Sequence, residues 1–247
     1  MAMKMTDRGT DALQAHLGAE TTEMDVRQTR RGWLQELLGC EAKTEFNYFV
    51  GSTHVAHSLE DTDCFCRMCC APIHPFQMRV NELNTESEIL TVDRPCRCAA
   101  GLCKCCCYQT IDVTSGSHRL GSVTEDCAYC VPSFTVRGPD DQDIYKIHPP
   151  TCCAGCCYNC CSEGNGLGAI CCKVPFRVYS AGLASTDGDA PYIGKILKQP
   201  KSLKTELFTD ANAFKIDFPE TATPEEKALL VGSSIFLNAI FFESNDQ

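Results

Sequence analysis

Between Phe46 and Phe218 apolar and polar residues alternate in short runs. The runs are Phe46–Val50, Thr53–Ser58, Phe76–Val80, Ile89–Val92, Gln109–Val113, Leu120–Thr124, Phe134–Arg137, Ile144–Ile147, Phe176–Ser180, Tyr192–Leu197, Glu206–Phe208 and Phe214–Phe218. Turn sequences such as GPDDQD and STDGDAP divide them. A period of two places one face of a strand in the core, and many short strands separated by turns predict an antiparallel barrel or sandwich.

The pattern changes in the closing segment, PEEKALLVGSSIFLNAIFFE (224–243), where Ala228 to Phe242 carry bulky apolar residues on every face. A helix apolar all round is buried. Its apolar part rises only about 22 Å at 1.5 Å per residue, short of the roughly 30 Å hydrocarbon slab that takes about 20 residues. Asn238, Ser233 and Ser234 weigh further against a membrane span, so a sheath of protein is expected. Thr223 as N-cap, Pro224 in the first turn and Glu226 closing a capping box specify the start.

Twelve strands close into a barrel too wide for their own side chains to fill, since eight already fill one. An apolar helix along the axis solves that problem and buries the helix, which is the architecture expected: mainly β, a twelve-stranded antiparallel barrel enclosing the C-terminal helix. A repeat supports it. Cys69-Cys70 precede a strand starting at Pro75-Phe76, Cys130 precedes Pro132 and Phe134, and Cys171-Cys172 precede Pro175-Phe176. The first two units end with Arg94-Pro95 and His148-Pro149, each followed by more cysteines. A hairpin returns to the end where it entered, so every cysteine except Cys40 is expected at one barrel pole. Residues 1–40, polar and without strong periodicity, are read as a flexible N-terminal segment with a short amphipathic helix at Trp33, Leu34, Leu37 and Leu38; the barrel domain is read as 41–247.

The formal net charge of −10 argues against nucleic-acid binding and gives no unaided attraction to an anionic bilayer. Met1 is followed by polar residues with no apolar run, so no signal peptide is expected. The 21 cysteines then belong in a reducing compartment, where dense thiols suit metal, acylation or packing better than disulfides. Pairs at C-x-x-C spacing, Cys66 with Cys69, Cys127 with Cys130, Cys153 with Cys156 and Cys157 with Cys160, as well as Cys103 with Cys106, suit tetrahedral zinc. The CKCCC run Cys103, Cys105, Cys106 and Cys107 suits thioesterification by fatty acid, where two chains anchor stably and one does not. Small buried hydrophobes explain scattered cysteines but not clusters. With no G-x-S-x-G, P-loop or Gly-rich dinucleotide turn, no enzyme is expected.

EDTDCFCRMCCAPIHPFQMRV (60–80), CKCCCYQTIDV (103–113), VPFRVYS (174–180), IGKILKQ (193–199), ELFTDANAFKIDFP (206–219) and FFES resemble the phospholipid scramblase family in order and spacing. That family is similar to the Tubby-like superfamily, whose fold is a twelve-stranded barrel around a C-terminal helix. The resemblance implies calcium-stimulated, ATP-independent, bidirectional movement of phospholipids between leaflets. It implies a protein tethered by acylation at Cys103, Cys105, Cys106 and Cys107 to the cytoplasmic face of the plasma membrane.

The family's calcium segment falls on Asp210, Asn212, Phe214, Ile216 and Asp217. Here Lys215 stands where a calcium loop takes glycine and Thr221 replaces the closing carboxylate, and FKIDF also reads as a strand. Lys195, Lys198, Lys201 and Lys204 resemble the family's nuclear-import segment, implying a nuclear pool; a solvated strand edge or an anionic headgroup contact fits the same residues. Membrane phospholipids are the expected partners, with protein partners and an oligomer left open. The alternative is a membrane-tethered lipid- or protein-binding module with structural zinc, since one short apolar helix cannot line a polar path for a headgroup.

Overall fold

The computed structural model describes residues 7–29, 44–62, 74–97, 107–127, 131–152, 157–158, 174–182, 191–199 and 212–242. Twelve strands form a closed barrel: β1 (Glu23–Thr29), β2 (Glu45–Val50), β3 (Thr53–Asp61), β4 (Phe76–Glu82), β5 (Glu88–Arg94), β6 (Thr110–Ser115), β7 (His118–Glu125), β8 (Phe134–Arg137), β9 (Asp143–His148), β12 (Val174–Ser180), β13 (Gly194–Gln199) and β14 (Ala213–Asp217). Two short strands, β10 (Thr151–Cys152) and β11 (Cys157–Tyr158), pair separately. Every pairing is antiparallel, and β1 closes the ring between β14 and β2. Gly51 and Gly116, at φ +59° and +56°, form the tight turns β2–β3 and β6–β7, where a side chain would be strained.

Alternation builds the wall: Phe46 and Tyr48, Met78 and Val80, Ile111 and Val113, and Phe214 and Ile216 all point inward and are buried. The axis is filled by α2 (Pro224–Leu237), which continues as a π-helical turn at Asn238–Phe242. Its capping box is present: Glu226 N–H donates to Thr223 Oγ1 and Thr223 N–H to Glu226 Oε2. The two serines in its apolar sequence are satisfied within the helix, Ser233 Oγ donating to Leu229 O and Ser234 Oγ to Val231 O. Phe236 meets Phe134 edge to face at 5.7 Å, and Phe176 stacks on Phe241. Among the described residues no helix is long and apolar enough to cross a membrane.

The N-terminal residues depart from the expected flexible segment 1–40. Residues Asp7–Leu17 form a helix, α1, and Glu23–Thr29 are a barrel strand, so the barrel begins well before residue 41. Leu13 and Leu17 are buried in the core cluster, and α1 closes the barrel end from which α2 starts. The reason is a polar anchor that periodicity does not show: Lys227, buried in the first turns of α2, donates from Nζ to Gly18 O at 2.7 Å and Thr21 O at 2.9 Å. His16 adds a 2.8 Å contact to Glu82. The expected helix around Trp33–Leu38 and the expected strand Glu206–Phe208 lie outside the described residues.

Lys227→Ala is expected to lower stability by about 2–3 kcal/mol, less than the sum of two bonds from a charged donor at about 1.5–3 kcal/mol each, because burying the ammonium offsets part of that gain. Hydrogen exchange should speed in β1 and residues 18–22 before it speeds in β6; uniform acceleration would contradict the anchor. Burial also lowers the Lys227 pKa. The folded form therefore binds this proton less tightly than the unfolded chain, and the cost of burying the charge falls away as pH rises through the lowered pKa.

Candidate functional site

The strand directions divide the barrel into two unlike ends. Tight turns after β2, β4, β6 and β8 lie at one end, with α1 and the start of α2. The connections β3–β4, β5–β6, β7–β8 and β9–β12, which carry all but one of the 21 cysteines, leave and re-enter at the other. So does β1–β2, since Thr29 pairs with Glu45, and this connection carries Cys40. Sequence reading set Cys40 apart because it missed β1.

Of the acylation set, Cys107 is half-buried just before β6, while Cys103, Cys105 and Cys106 lie outside the described residues. The feet of their connection are tied together: Gln109 Nε2 donates to Arg97 O and Arg97 Nη1 to Tyr108 O. Cys96, Cys107 and Cys127 are free, and Cys96 and Cys127 are exposed. Of the zinc set, Cys127 is at this rim and Cys157 is opposite Cys152 in the β10–β11 pair. Cys66, Cys69, Cys130, Cys153, Cys156 and Cys160 lie outside the described residues. Among the described residues no group of three or more metal-ligating side chains is assembled.

The calcium segment is placed on a strand, which sends alternate residues to opposite faces. Phe214 and Ile216 face the core. Asp217 faces outward, 3.5 Å from Lys195 Nζ. Asn212 is buried, donating from Nδ2 to Asn238 Oδ1 at 3.1 Å, and Asp210 lies outside the described residues. In this conformation the described members do not converge and do not fit a cation. Binding there would need β14 to leave the sheet.

The Asn212–Asn238 bond ties the end of α2 to the start of β14 and explains the polar residue in the axial helix. Asn238→Leu is expected to cost about 1–3 kcal/mol by leaving the Asn212 amide buried and unpaired, while Asn212→Val with Asn238→Leu should recover most of it. A denaturation double-mutant cycle giving purely additive losses would remove the coupling. Of the basic stretch, Lys195 points outward, and Lys198 lies with Nζ 3.7 Å from the centre of the Phe242 ring. Lys201 and Lys204 lie outside the described residues.

One feature of this mouth was not read from the sequence. Along β3 to β7 a row of buried polar side chains lines it. His74 Nε2 lies 3.1 Å from Glu60 Oε1, with both side chains under 5% exposed. Phe76, paired with Arg94 across β4–β5, lies between His74 and the Arg94 guanidinium. Arg94 donates from Nε and Nη2 to Gln109 Oε1. Gln109 N–H in turn reaches Glu125 Oε2 at 3.4 Å. The signal was available: Glu60 is in phase with Ala56 and Ser58, Arg94 with Val92, and Glu125 with Val123, so alternation turns each charge inward.

The scramblase family model matches residues 18–163 and 168–244. The chain is 33% identical over 213 residues to phospholipid scramblase 2 of Bos taurus, covering 85% of this chain and 65% of that protein. It is 31% identical over 214 residues to phospholipid scramblase 1 of Homo sapiens, covering 85% and 60%. It is 28% identical over 211 residues to phospholipid scramblase family member 5 of Homo sapiens, covering 84% and 69%. The chain thus spans 60–65% of the length of the first two. No solved structure matches it significantly. With a family match that runs through the wall and the axial helix alike, the chain belongs to the scramblase family.

Proposed function

We propose that this protein moves phospholipids between bilayer leaflets in both directions, without ATP and stimulated by calcium, while tethered to a membrane by acyl chains at the cysteine rim. The observation that supports this reading most is the family match over nearly the whole barrel, joined to a topology that sends the cysteine-bearing connections to one end. Chains on Cys103, Cys105, Cys106 and Cys107 would set that rim against the lipid, at the cytoplasmic face. The barrel interior is packed with aromatic and aliphatic side chains, so a headgroup would cross beside the barrel, through distorted bilayer or between copies, and not through its axis. Calcium would act through donors other than β14 in its barrel conformation, or by drawing β14 out of the sheet.

The same packed interior favours a second reading, a membrane-tethered module that binds lipid or protein and holds structural zinc on the C-x-x-C pairs without moving lipid itself. Purified protein in vesicles carrying a fluorescent phospholipid decides between them. Lipid movement without ATP, raised by calcium, is the expected result. No movement above protein-free vesicles, with one or more zinc ions per chain by metal analysis, would replace it with the second reading.

A further inference from the structure

The connection from β9 to β12 carries eight of the 21 cysteines, and its first stretch reads TCCAGCCYNCC from Thr151. Two of those cysteines occupy one rung of a ladder. Strands β10 and β11 pair antiparallel, with Thr151 opposite Tyr158 and Cys152 opposite Cys157. Among the described residues this is the only strand pair that sets one cysteine opposite another. The described cysteines Cys96, Cys107 and Cys127 are free thiols outside any strand.

Directly opposed residues of an antiparallel pair have Cα atoms about 4.5 or 5.5 Å apart. A disulfide spans Cα separations of about 4.4–6.8 Å, so the register alone meets its first requirement. Only Cys153, Ala154, Gly155 and Cys156 separate the two residues, so little chain entropy is lost in bringing their thiols together. Such a bond is reducible. Opposed Cβ atoms in a ladder lie about 4.5–5.5 Å apart, more than the roughly 3.8 Å mean of disulfides, and that mismatch favours reduction. An isolated two-stranded hairpin is marginal in water, and this one has two residues in each strand, so a cross-link decides how firmly it holds.

We propose that Cys152 and Cys157 form a reversible disulfide site, oxidised by a low-molecular-weight disulfide of the glutathione class. The thiolate of one cysteine attacks the small disulfide, giving a mixed disulfide and one glutathione thiolate. The thiolate of the other then attacks the protein sulfur of that mixed disulfide, closing the Cys152–Cys157 bond and releasing the second glutathione thiolate. Two protein thiols are oxidised, one small disulfide is reduced to two thiols, and the two protons lost by the protein pass to the leaving thiolates. Oxidation ties β10 to β11 and fixes the start of the connection that joins the wall strands β9 and β12. It also withdraws Cys157 from its C-x-x-C neighbour Cys160, because a metal takes a thiolate and not a disulfide sulfur. The oxidised hairpin and a metal held on that pair therefore exclude each other. The site stands apart from lipid movement and goes beyond it.

The test uses the full chain, reduced, freed of metal with EDTA and equilibrated in glutathione buffers of rising oxidised-to-reduced ratio. Free thiols are blocked with N-ethylmaleimide, glutathione adducts are read by mass, and the remaining oxidised thiols are then reduced and marked with iodoacetamide. Mass spectrometry of the tryptic peptide Ile147–Lys173 assigns each mark. Cys152 and Cys157 should be marked together in the same molecules, at a glutathione ratio at least about tenfold lower than any other pair in that peptide. Cys157→Ser should leave Cys152 unmarked at that ratio, Cys152→Ser should leave Cys157 unmarked, and Cys153→Ser should change neither. Cys152 marked with Cys153 or Cys156 as readily as with Cys157 overturns the proposal. So does a wild-type protein in which either thiol ends chiefly as its glutathione adduct, or in which both stay reduced while other cysteines of the peptide oxidise. The wild-type pattern decides the matter even where a serine variant disturbs the hairpin.

Discussion

Replacing Phe236 by alanine is expected to remove about 3–5 kcal/mol of stability, the range for deleting a large aromatic from a core that cannot collapse around the gap. The ring is fully buried on the barrel axis, where strands surround it on all sides and hold their spacing through a closed ladder of hydrogen bonds. Phe134 on β8 would lose its edge-to-face partner at the same time. Against a total of about 5–15 kcal/mol, the loss is a large fraction. For a chain of this size it corresponds to a midpoint lowered by roughly 10 °C. Phe241, one turn on and only half-buried, should cost less than half as much when cut to alanine. Thermal or urea unfolding of the two variants provides the comparison. Equal, small losses would show that the barrel closes on its axis without the helix, and the architecture would then owe its stability to the wall alone.

That dependence on one helix is also why so much of the fold was legible. A run apolar on every face has no surface to show to water, and short alternating runs have exactly one, so the two patterns together ask for a wall around an axis. The start of α2 was fixed to the residue by Thr223, Pro224 and Glu226. What escaped were elements whose burial rests on few side chains. In β1 only Met24 and Val26 face the core within EMDVRQT, too short an alternation to stand out from a polar tail. In α1 the buried stripe is Ala12, Leu13 and Leu17, and the bond that holds it comes from Lys227, over 200 positions away. The candidate site was hidden for a different reason. Glu60, His74, Arg94 and Glu125 occupy inward phases that a hydrophobicity pattern marks as strand ends, and their meeting at one mouth is a product of strand order, which periodicity does not determine. The calcium segment carried two readings at once, a cation-binding loop over Asp210 to Thr221 implied by the resemblance and a strand implied by the alternation of FKIDF, and Ala213–Asp217 form the strand.

Replacing Cys103, Cys105, Cys106 and Cys107 together by alanine is expected to move the protein from the membrane to the soluble fraction of expressing cells. Each buried methylene of an acyl chain contributes about 0.8 kcal/mol, one chain binds a bilayer marginally, and two or more bind it stably. The remaining contributions are weak: the net charge of −10 repels anionic lipid, and among the described residues no helix spans a bilayer. Cys107→Ala alone should leave the partition almost unchanged, because three sites remain, and hydroxylamine, which cleaves thioesters, should release the wild-type protein as the fourfold substitution does. Gln109 and Arg97 fasten the feet of this connection from outside the run, so the fourfold variant should keep the wild-type melting temperature. Membrane partition that survives both the substitution and hydroxylamine would remove acylation as the tether. Release by the substitution with an unchanged fold would fix the orientation of the whole barrel. The cysteine-bearing connections would then face the lipid, and the end sealed by α1 would face away.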